Sequence, residues 1–194
     1  RLEALGIDGV IDLLVDPGDT VIVENPTWMG FLYMINNLKA KAIGVSVDEQ
    51  GTNVDELEQT LARLKSEGIK PKLIYVIPNF QNPTGVSTTL ERRKRIVELA
   101  KEYGTIVLED DAYYDLRYGG EPIPPIQTLD DSGSVWYTGT FSKIVGAGMR
   151  LGWLLAPADV ITTISVLKTD GSSNVFGAHV IAEWLPEHLD DHIA

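Results

Sequence analysis

Short apolar runs alternate with longer amphipathic stretches through the first 110 residues of the chain. The apolar runs predict buried strands at residues 20–24, 41–47, 72–77 and 105–110. The stretches between them carry apolar residues at helical spacing. Strands and helices that alternate in this way form right-handed crossover units. The pattern therefore predicts an α/β fold, a three-layer sandwich in which helices cover both faces of a mostly parallel sheet.

Turn and cap residues set the limits of the predicted helices. The first helix ends near residue 15, where residues 16–19 form a turn, and a second helix runs from residue 28 to about residue 37. Asn53, followed by two acidic residues, marks the start of a helix that Gly68 ends. Thr88 with Glu91 predicts a capping box for the next helix, which stops before Gly104.

Two further strands are predicted at residues 135–139 and 150–156. The link between them is too short for a helical crossover, which needs a dozen or more residues, so the last strand is expected to run antiparallel. Lys143 lies in this link, in a turn at the loop edge of the sheet. Residues 159–169 and 175–193 have helical patterns.

Charge and composition narrow the function classes. The net charge is -12 and the pI is near 4.6, which argues against nucleic acid or an anionic membrane as a partner. No cysteine is present, which excludes a disulfide framework and a thiolate nucleophile. No apolar run reaches membrane-spanning length and the first residues lack a secretory signal, so a cytoplasmic location is expected.

Lys143 is the candidate reactive group. The hydroxyls of Thr140 and Ser142 flank it, and Arg150 follows after two glycines. A lysine in a packed site beside a second cation is shifted toward its neutral, nucleophilic form. The combination indicates a reactive amine beside an anion site, although a plain surface lysine after a strand would give the same local pattern.

Further candidates follow from the predicted sheet, because ligands bind outside the carboxyl ends of parallel strands. The polar and aromatic residues at these ends are Trp28, Asn82, Asp110, Tyr113, Thr140, Ser142, Lys143 and Arg150. Together their chemical groups suit a phosphorylated, ring-containing cofactor. Taken singly, each has a structural alternative: Trp28 could pack in the core, Asp110 could cap a loop and Arg150 could form a surface ion pair.

Other site types are disfavoured. His188 and His192 are four residues apart on a helical pattern, but two imidazoles without a nearby third ligand more often form a solvated face, so no metal site is predicted. Gly146, Gly148 and Gly152 do not have the spacing of the dinucleotide-binding fingerprint.

Three runs, at residues 78–85, 108–114 and 138–153, together resemble the pyridoxal-phosphate-binding motifs of fold-type-I, class I/II aminotransferases. The branch with 2-aminoadipate and kynurenine aminotransferases is the most similar. Residues 14–28 also resemble that family's first strand and turn. The resemblance implies a large domain of the pyridoxal-phosphate-dependent transferase type.

The resemblance also implies a role for each candidate residue. Lys143 would form the internal aldimine with pyridoxal 5′-phosphate and later shuttle a proton, and Asp110 would pair with the pyridine nitrogen. The remaining residues would hold the cofactor: Asn82 and Tyr113 at the phenolic oxygen, Trp28 on the ring face, and Thr140, Ser142 and Arg150 at the phosphate. The implied reaction is amino transfer from an α-amino acid to a 2-oxo acid, in a homodimer.

By the same resemblance, residues 1–194 correspond to the cofactor-binding large domain, truncated at both ends and without the small C-terminal domain. We therefore expect weak cofactor binding and inefficient turnover from this chain alone. Two alternatives stay open. One is another pyridoxal-phosphate reaction, such as β-elimination or decarboxylation, because the motifs fix the cofactor and not the bond that breaks. The other is the aminotransferase-like sensor domain of a transcription regulator.

Overall fold

A computed structural model describes residues 6–167 and 174–193, and a seven-stranded sheet lies at the centre of this described part. The strands are β1 (Thr20–Asn25), β2 (Lys41–Asp48), β3 (Gly51–Thr52), β4 (Leu73–Val76), β5 (Ile106–Asp110), β6 (Val135–Thr140) and β7 (Gly152–Leu155). Their order across the sheet is β3-β2-β1-β4-β5-β6-β7.

The pairing of the strands confirms the predicted sheet. β2, β1, β4, β5 and β6 are parallel neighbours. β7 runs antiparallel to β6, as the short link between them predicted. The two-residue β3 adds an antiparallel pair with β2 that was not predicted, because two residues are too few to show a strand period.

Helices follow the predicted order, with bounds that differ by a few residues. They are α1 (Ile7–Leu14), α2 (Met29–Asn37), α3 (Val54–Ser66), α4 (Leu90–Tyr103), α5 (Ala158–Leu167) and α6 (Val175–Ile193). Two 3₁₀ turns, Ile126–Leu129 and Ala147–Met149, and one π-helical turn, Ser142–Gly146, lie in the connections. Residues 1–5 and 168–169, which the sequence pattern also placed in helices, lie outside the described residues.

Alternate residues of the central strands build two separate cores. Val21 and Val23 of β1 pack in a core against α1, α2 and α5, whereas Ile22 between them packs in a second core against α3 and α4. In β4, Tyr75 and Ile74 divide in the same way. Because successive side chains of a strand point to opposite faces, helices are needed on both sides of the sheet. The result is the predicted three-layer sandwich.

The two predicted helix starts had different outcomes. Asn53 caps α3, and its side chain accepts a hydrogen bond of 3.1 Å from the backbone N–H of Glu56. The capping box at Thr88 was wrong, because the residue before α4 is Thr89, whose side chain makes no capping bond. Thr88 is instead buried, and its backbone oxygen accepts a bond from the Arg93 side chain.

Arg93 is fully buried and holds the connections around the sheet together. Its guanidinium donates to the backbone oxygens of Thr88 at 2.8 Å, Pro78 at 2.9 Å and Pro124 at 3.0 Å. It also donates to Oδ1 of Asn79 at 2.7 Å. A planar group with several fixed donors suits this task, which a lysine ammonium cannot reproduce.

We predict that Arg93→Lys lowers the free energy of unfolding by about 3 kcal/mol, because the buried oxygens lose their donors while a buried charge remains. Denaturant titration of the purified chain measures this. Arg95→Lys is the matched control on the same helix, because Arg95 is partly exposed and pairs with Glu58 and Glu98 at the surface. This control should change the unfolding free energy by less than about 0.5 kcal/mol. Equal losses in both variants would contradict the assigned role.

Candidate functional site

The candidate site lies at the edge where the parallel strands end. Asp110, the last residue of β5, pairs with Thr138 of β6, so β6 continues past this point to Thr140. Antiparallel pairing places Gly152, at the start of β7, opposite Thr140. The segments that follow β5 and β6 and the segment that precedes β7 therefore meet at one edge, as the sequence predicted for a parallel sheet.

The π-helical turn presents Lys143. The backbone oxygen of Phe141 accepts hydrogen bonds from the N–H groups of both Val145, at 2.9 Å, and Gly146, at 3.0 Å. The bond from Gly146 spans five residues, which widens the turn by one residue relative to an α-helical turn. Phe141 itself is buried against Trp153, so the base of the turn is anchored while Lys143 is exposed.

Lys143 and Tyr113 approach each other across this edge. The Nζ atom of Lys143 lies 5.9 Å from the centre of the Tyr113 ring, within the range of a cation–π contact. Tyr113 belongs to the turn after β5 and Lys143 to the turn after β6. Two of the predicted residues are thus brought together from segments that are thirty residues apart in sequence.

Hydroxyl groups and a guanidinium lie on the segments on either side of Lys143. Oγ1 of Thr140 is 3.0 Å from Oγ of Ser142 and accepts a bond of 3.1 Å from the Ser142 N–H. Arg150 has a left-handed backbone, with φ of 51°, directly before the residues that lead into β7. Its guanidinium is exposed, with a long contact of 3.4 Å to the backbone oxygen of Ala147. These groups could together hold an anion.

Asp110 is held by a residue that the sequence reading missed. The phenol of Tyr75, on β4, donates a hydrogen bond of 2.5 Å to Oδ2 of Asp110. The pKa of Asp110 is raised to about 6, chiefly by burial; the bond from Tyr75 opposes this increase and the charge of Asp111 adds to it. No cationic side chain among the described residues pairs with the Asp110 carboxyl group. A cation bound beside it would stabilise its charged form.

Asp111 has a different set of partners. Nδ2 of Asn79 donates to both of its carboxylate oxygens, at 3.0 and 2.9 Å, and Oδ1 of Asn79 accepts from Arg93. Burial raises the pKa of Asp111 to about 6, although the bond from Asn79 and the charge of Arg93 lower it. This chain of contacts fixes the loop after β4 to the turn after β5.

Gln81 joins the loops that carry Trp28 and Asn82. Its Nε2 atom donates to the backbone oxygen of Pro26 at 2.8 Å and to Oε2 of Glu24 at 3.1 Å. Pro26 lies two residues before Trp28, and Gln81 is adjacent to Asn82. The positions of these two predicted site residues are therefore coupled through one buried amide.

Glu24 is the buried acceptor at the base of the same loops. It accepts bonds from Oγ1 of Thr52 at 2.7 Å, from the backbone N–H of Ile77 at 3.1 Å and from Gln81. Burial raises the pKa of Glu24 to about 7, against the effect of these three donors. Its ionised form is thus disfavoured in the folded chain.

Trp28 and Asn82 lie near the site edge but are not joined to Lys143. Trp28 is half-buried directly before α2, and its ring packs over Gly30, where an added Cβ atom would come within 2.2 Å. Asn82 is half-buried in the loop after β4. Within residues 6–167 and 174–193, no hydrogen bond or ring contact links Trp28, Asn82 or Arg150 to Lys143.

Sequence reasoning missed Tyr75 and Glu24 because it considered only residues just after each strand, and it passed over Gln81 within the loop from which it selected Asn82. Two signals were available. Tyr75 is a hydroxyl-bearing residue inside an otherwise aliphatic strand, and Glu24 is a carboxylate that ends an apolar run. A polar group in a buried strand needs a hydrogen-bonding partner, so each predicts a partner on a neighbouring segment.

Across the described ranges, 6–167 and 174–193, no three His, Asp or Glu side chains are grouped so that they could hold a metal ion. The Nε2 atom of His192 lies 2.9 Å from the backbone oxygen of Ile144, and its ring packs edge-on against the ring of Trp184. No helix among the described residues is long and apolar enough to cross a membrane.

Comparison of the sequence with protein families and with curated proteins gives matches over nearly the whole chain. A family model described as aminotransferase class I and II matches residues 5–192. Aromatic-amino-acid aminotransferase 1 of Thermococcus litoralis is 40% identical over 194 residues, which cover 98% of this chain and 46% of that protein. An uncharacterized HTH-type transcriptional regulator of Bacillus subtilis is 31% identical over 183 residues, or 93% of this chain and 37% of that protein.

A solved structure of an aminotransferase is similar to this chain in both fold and sequence. The crystal structure of Pyrococcus horikoshii kynurenine aminotransferase, in complex with PMP, KYN as substrates and KYA as products, has a TM-score of 0.94 and 42% sequence identity. The similarity covers 96% of this chain and 47% of that one. The chain thus spans about half the length of the relatives that it matches.

We predict that Glu24→Gln changes the pH dependence of stability. The pKa of Glu24 rises from 4.5 to about 7 on folding, so the folded chain binds the proton more tightly and loses stability as pH rises between these values. The variant should therefore gain up to about 3 kcal/mol relative to the unaltered chain between pH 5 and pH 8. A glutamine can keep the contacts, since its oxygen can accept from Ile77 and its amide can donate to Thr52.

Denaturant titrations of both proteins across this pH range measure the difference. Glu91→Gln, at an exposed position on α4, controls for the loss of one negative charge. If the difference between the Glu24 variant and the unaltered chain does not depend on pH, the assigned linkage is wrong.

Proposed function

Because the chain belongs to the class I and II aminotransferase family, we propose that it supplies the cofactor-binding domain of a pyridoxal-phosphate-dependent aminotransferase. The proposed reaction moves the amino group of an α-amino acid to a 2-oxo acid. The observation that carries the proposal is the placement of Lys143 and Asp110 at the ends of the neighbouring strands β6 and β5. Both groups suit pyridoxal phosphate, since a lysine amine can bond to its aldehyde carbon and a carboxylate can pair with its protonated ring nitrogen.

The residues at this edge fit pyridoxal 5′-phosphate. Burial raises the pKa of Asp110 to about 6, and the charge of a protonated ring nitrogen would offset that burial. When bound, the cofactor supplies an electron sink for the α-carbon of the substrate. Thr140, Ser142 and Arg150 offer two hydroxyls and a guanidinium to the phosphate, which favours a dianion at this position.

The proposed roles of the other residues complete the site. Lys143 would hold the cofactor through Nζ and then carry a proton at the same atom to and from the substrate. Asn82 and Tyr113 would donate to the phenolic oxygen of the cofactor, and Trp28 would cover its ring face. The contact of Tyr113 with Lys143 supports the role proposed for Tyr113. The link between their loops through Gln81 supports the assignment of Trp28 and Asn82 to one site.

The substrate pair is proposed as an α-amino acid and a 2-oxo acid. Aromatic amino acids and kynurenine are the first to test, because similar proteins carry these names. The region of residues 1–194 is proposed to be the large domain. A homodimer and a cytoplasmic location are also part of the proposal, the first from the family resemblance and the second from composition.

A sensor domain of a transcription regulator is the second candidate, and the similarity to the Bacillus subtilis regulator favours it. In that case the same residues would bind the cofactor without amino transfer. Another reaction of the same cofactor, such as β-elimination or decarboxylation, would use the same lysine and carboxylate. Product analysis separates these possibilities from amino transfer.

We predict that Lys143→Ala abolishes covalent cofactor binding. After incubation with pyridoxal phosphate and reduction with borohydride, peptide mass spectrometry of the unaltered chain should place one cofactor on Lys143. The variant should carry none at the site, because its side chain has no amine. Lys101→Ala is the matched control, since Lys101 is exposed and pairs with Asp131 far from the site edge.

The second measurement is keto-acid formation from an amino acid and a 2-oxo acid by the reconstituted protein. Amino transfer that Lys143→Ala removes would support the aminotransferase. Labelling of Lys143 without amino transfer would favour the sensor domain. Absence of label on Lys143 in the unaltered chain would contradict both candidates.

A further inference from the structure

We infer that Tyr75 is a positioning residue for cofactor binding: its phenol holds one carboxylate oxygen of Asp110 and leaves the other available to the ring nitrogen. The inference rests on the proposed function, in which Asp110 pairs with that nitrogen. It assigns a role to a residue inside β4 that has no place among the residues at the strand ends.

The sheet register makes the contact possible. Tyr75 lies directly opposite Leu108 in the parallel pairing of β4 with β5. Asp110 is two residues beyond Leu108 and therefore on the same face of the sheet. Residues in this diagonal relation are within reach of an aromatic side chain, and the phenol oxygen of Tyr75 comes to 2.5 Å from Oδ2 of Asp110.

Packing fixes the Tyr75 ring in this position. Tyr75 is fully buried, and its ring stacks on that of Phe31, with centroids 3.7 Å apart and planes inclined by 3°. Phe31 belongs to α2, which begins directly after Trp28. The hydroxyl therefore cannot turn away from Asp110 without displacing the core between α2 and the sheet.

The hydrogen bond from Tyr75 to Asp110 also affects the protonation of the cofactor. Burial, together with the charge of Asp110, raises the pKa of Tyr75 well above its usual value, so the phenol remains a donor. The charges of Glu24 and Asp111 act on the same pair of residues and oppose ionisation. A bond from Tyr75 lowers the pKa of Asp110, which keeps the proton of the ion pair on the ring nitrogen.

The test compares Tyr75→Phe, Asp110→Asn and the double variant after reconstitution with ¹⁵N-labelled pyridoxal phosphate. Two quantities are measured: the dissociation constant, by fluorescence titration, and the ¹⁵N chemical shift, which reports protonation of the ring nitrogen. Tyr75→Phe should weaken binding by about tenfold or more and move the shift toward the unprotonated ring. Val10→Ala is the structural control, because it removes buried volume from the same core, on α1, but keeps the hydroxyl and its stacking on Phe31.

A role through Asp110 predicts non-additivity: when Asp110 is already Asn, Tyr75→Phe should change the dissociation constant by less than about twofold and leave the nitrogen shift unchanged. Val10→Ala should lower thermal stability and leave the nitrogen shift unchanged. The inference is overturned if Tyr75→Phe leaves the shift as in the unaltered protein while Asp110→Asn moves it. It is also overturned if the effects of the two variants simply add. Failure of the unaltered protein to bind the cofactor would instead overturn the proposed function, and this inference with it.

Discussion

The parallel register of β4, β5 and β6 is the constraint on which the site depends. It brings the ends of these strands to one edge and places Asp110 on the same face as Tyr75. A slip of one residue between β4 and β5 would turn Asp110 to the opposite face, toward the core of α3 and α4. The return strand β7 extends the same edge by one strand, which allows Arg150 to lie beside the segment of Lys143.

Three buried acid groups, Glu24, Glu109 and Asp111, lie beneath the half-buried Asp110 of this edge. Burial raises the pKa of all four, and the buried guanidinium of Arg93 lies near Glu109 and Asp111. Their donors come largely from loops, as with the N–H groups of Ile126 and Gln127 at Glu109. The buried carboxylates therefore hold the connecting segments in place. The excess of negative charge also favours a cationic group beside Asp110, the carboxylate at the site edge.

The fold, and the edge of the sheet at which the candidate residues gather, could be predicted from the sequence, whereas the supporting contacts could not. Apolar runs are a local property, so they predicted β1, β2, β4, β5 and β6, and the short link between β6 and β7 predicted the reversal of the last strand. The bond from Tyr75 to Asp110 joins residues 35 positions apart and depends on a register that local pattern does not contain. The capping box at Thr88 failed for a related reason, because Thr88 is buried and its backbone oxygen serves the side chain of Arg93.

The number of residues in the π-helical turn after Phe141 determines the direction of the side chains at the site. Because the turn holds one residue more than an α-helical turn, deletion of a single residue from it would rotate the following side chains by about 100° about the turn axis. Deletion of Ser142, the one residue between Phe141 and Lys143, would in this way turn Lys143 away from the side of the sheet where Tyr113 and Asp110 lie. A designer who transplants this lysine to another α/β sheet must therefore carry over the complete link between β6 and β7, since the right residues at the wrong count would direct the amine elsewhere.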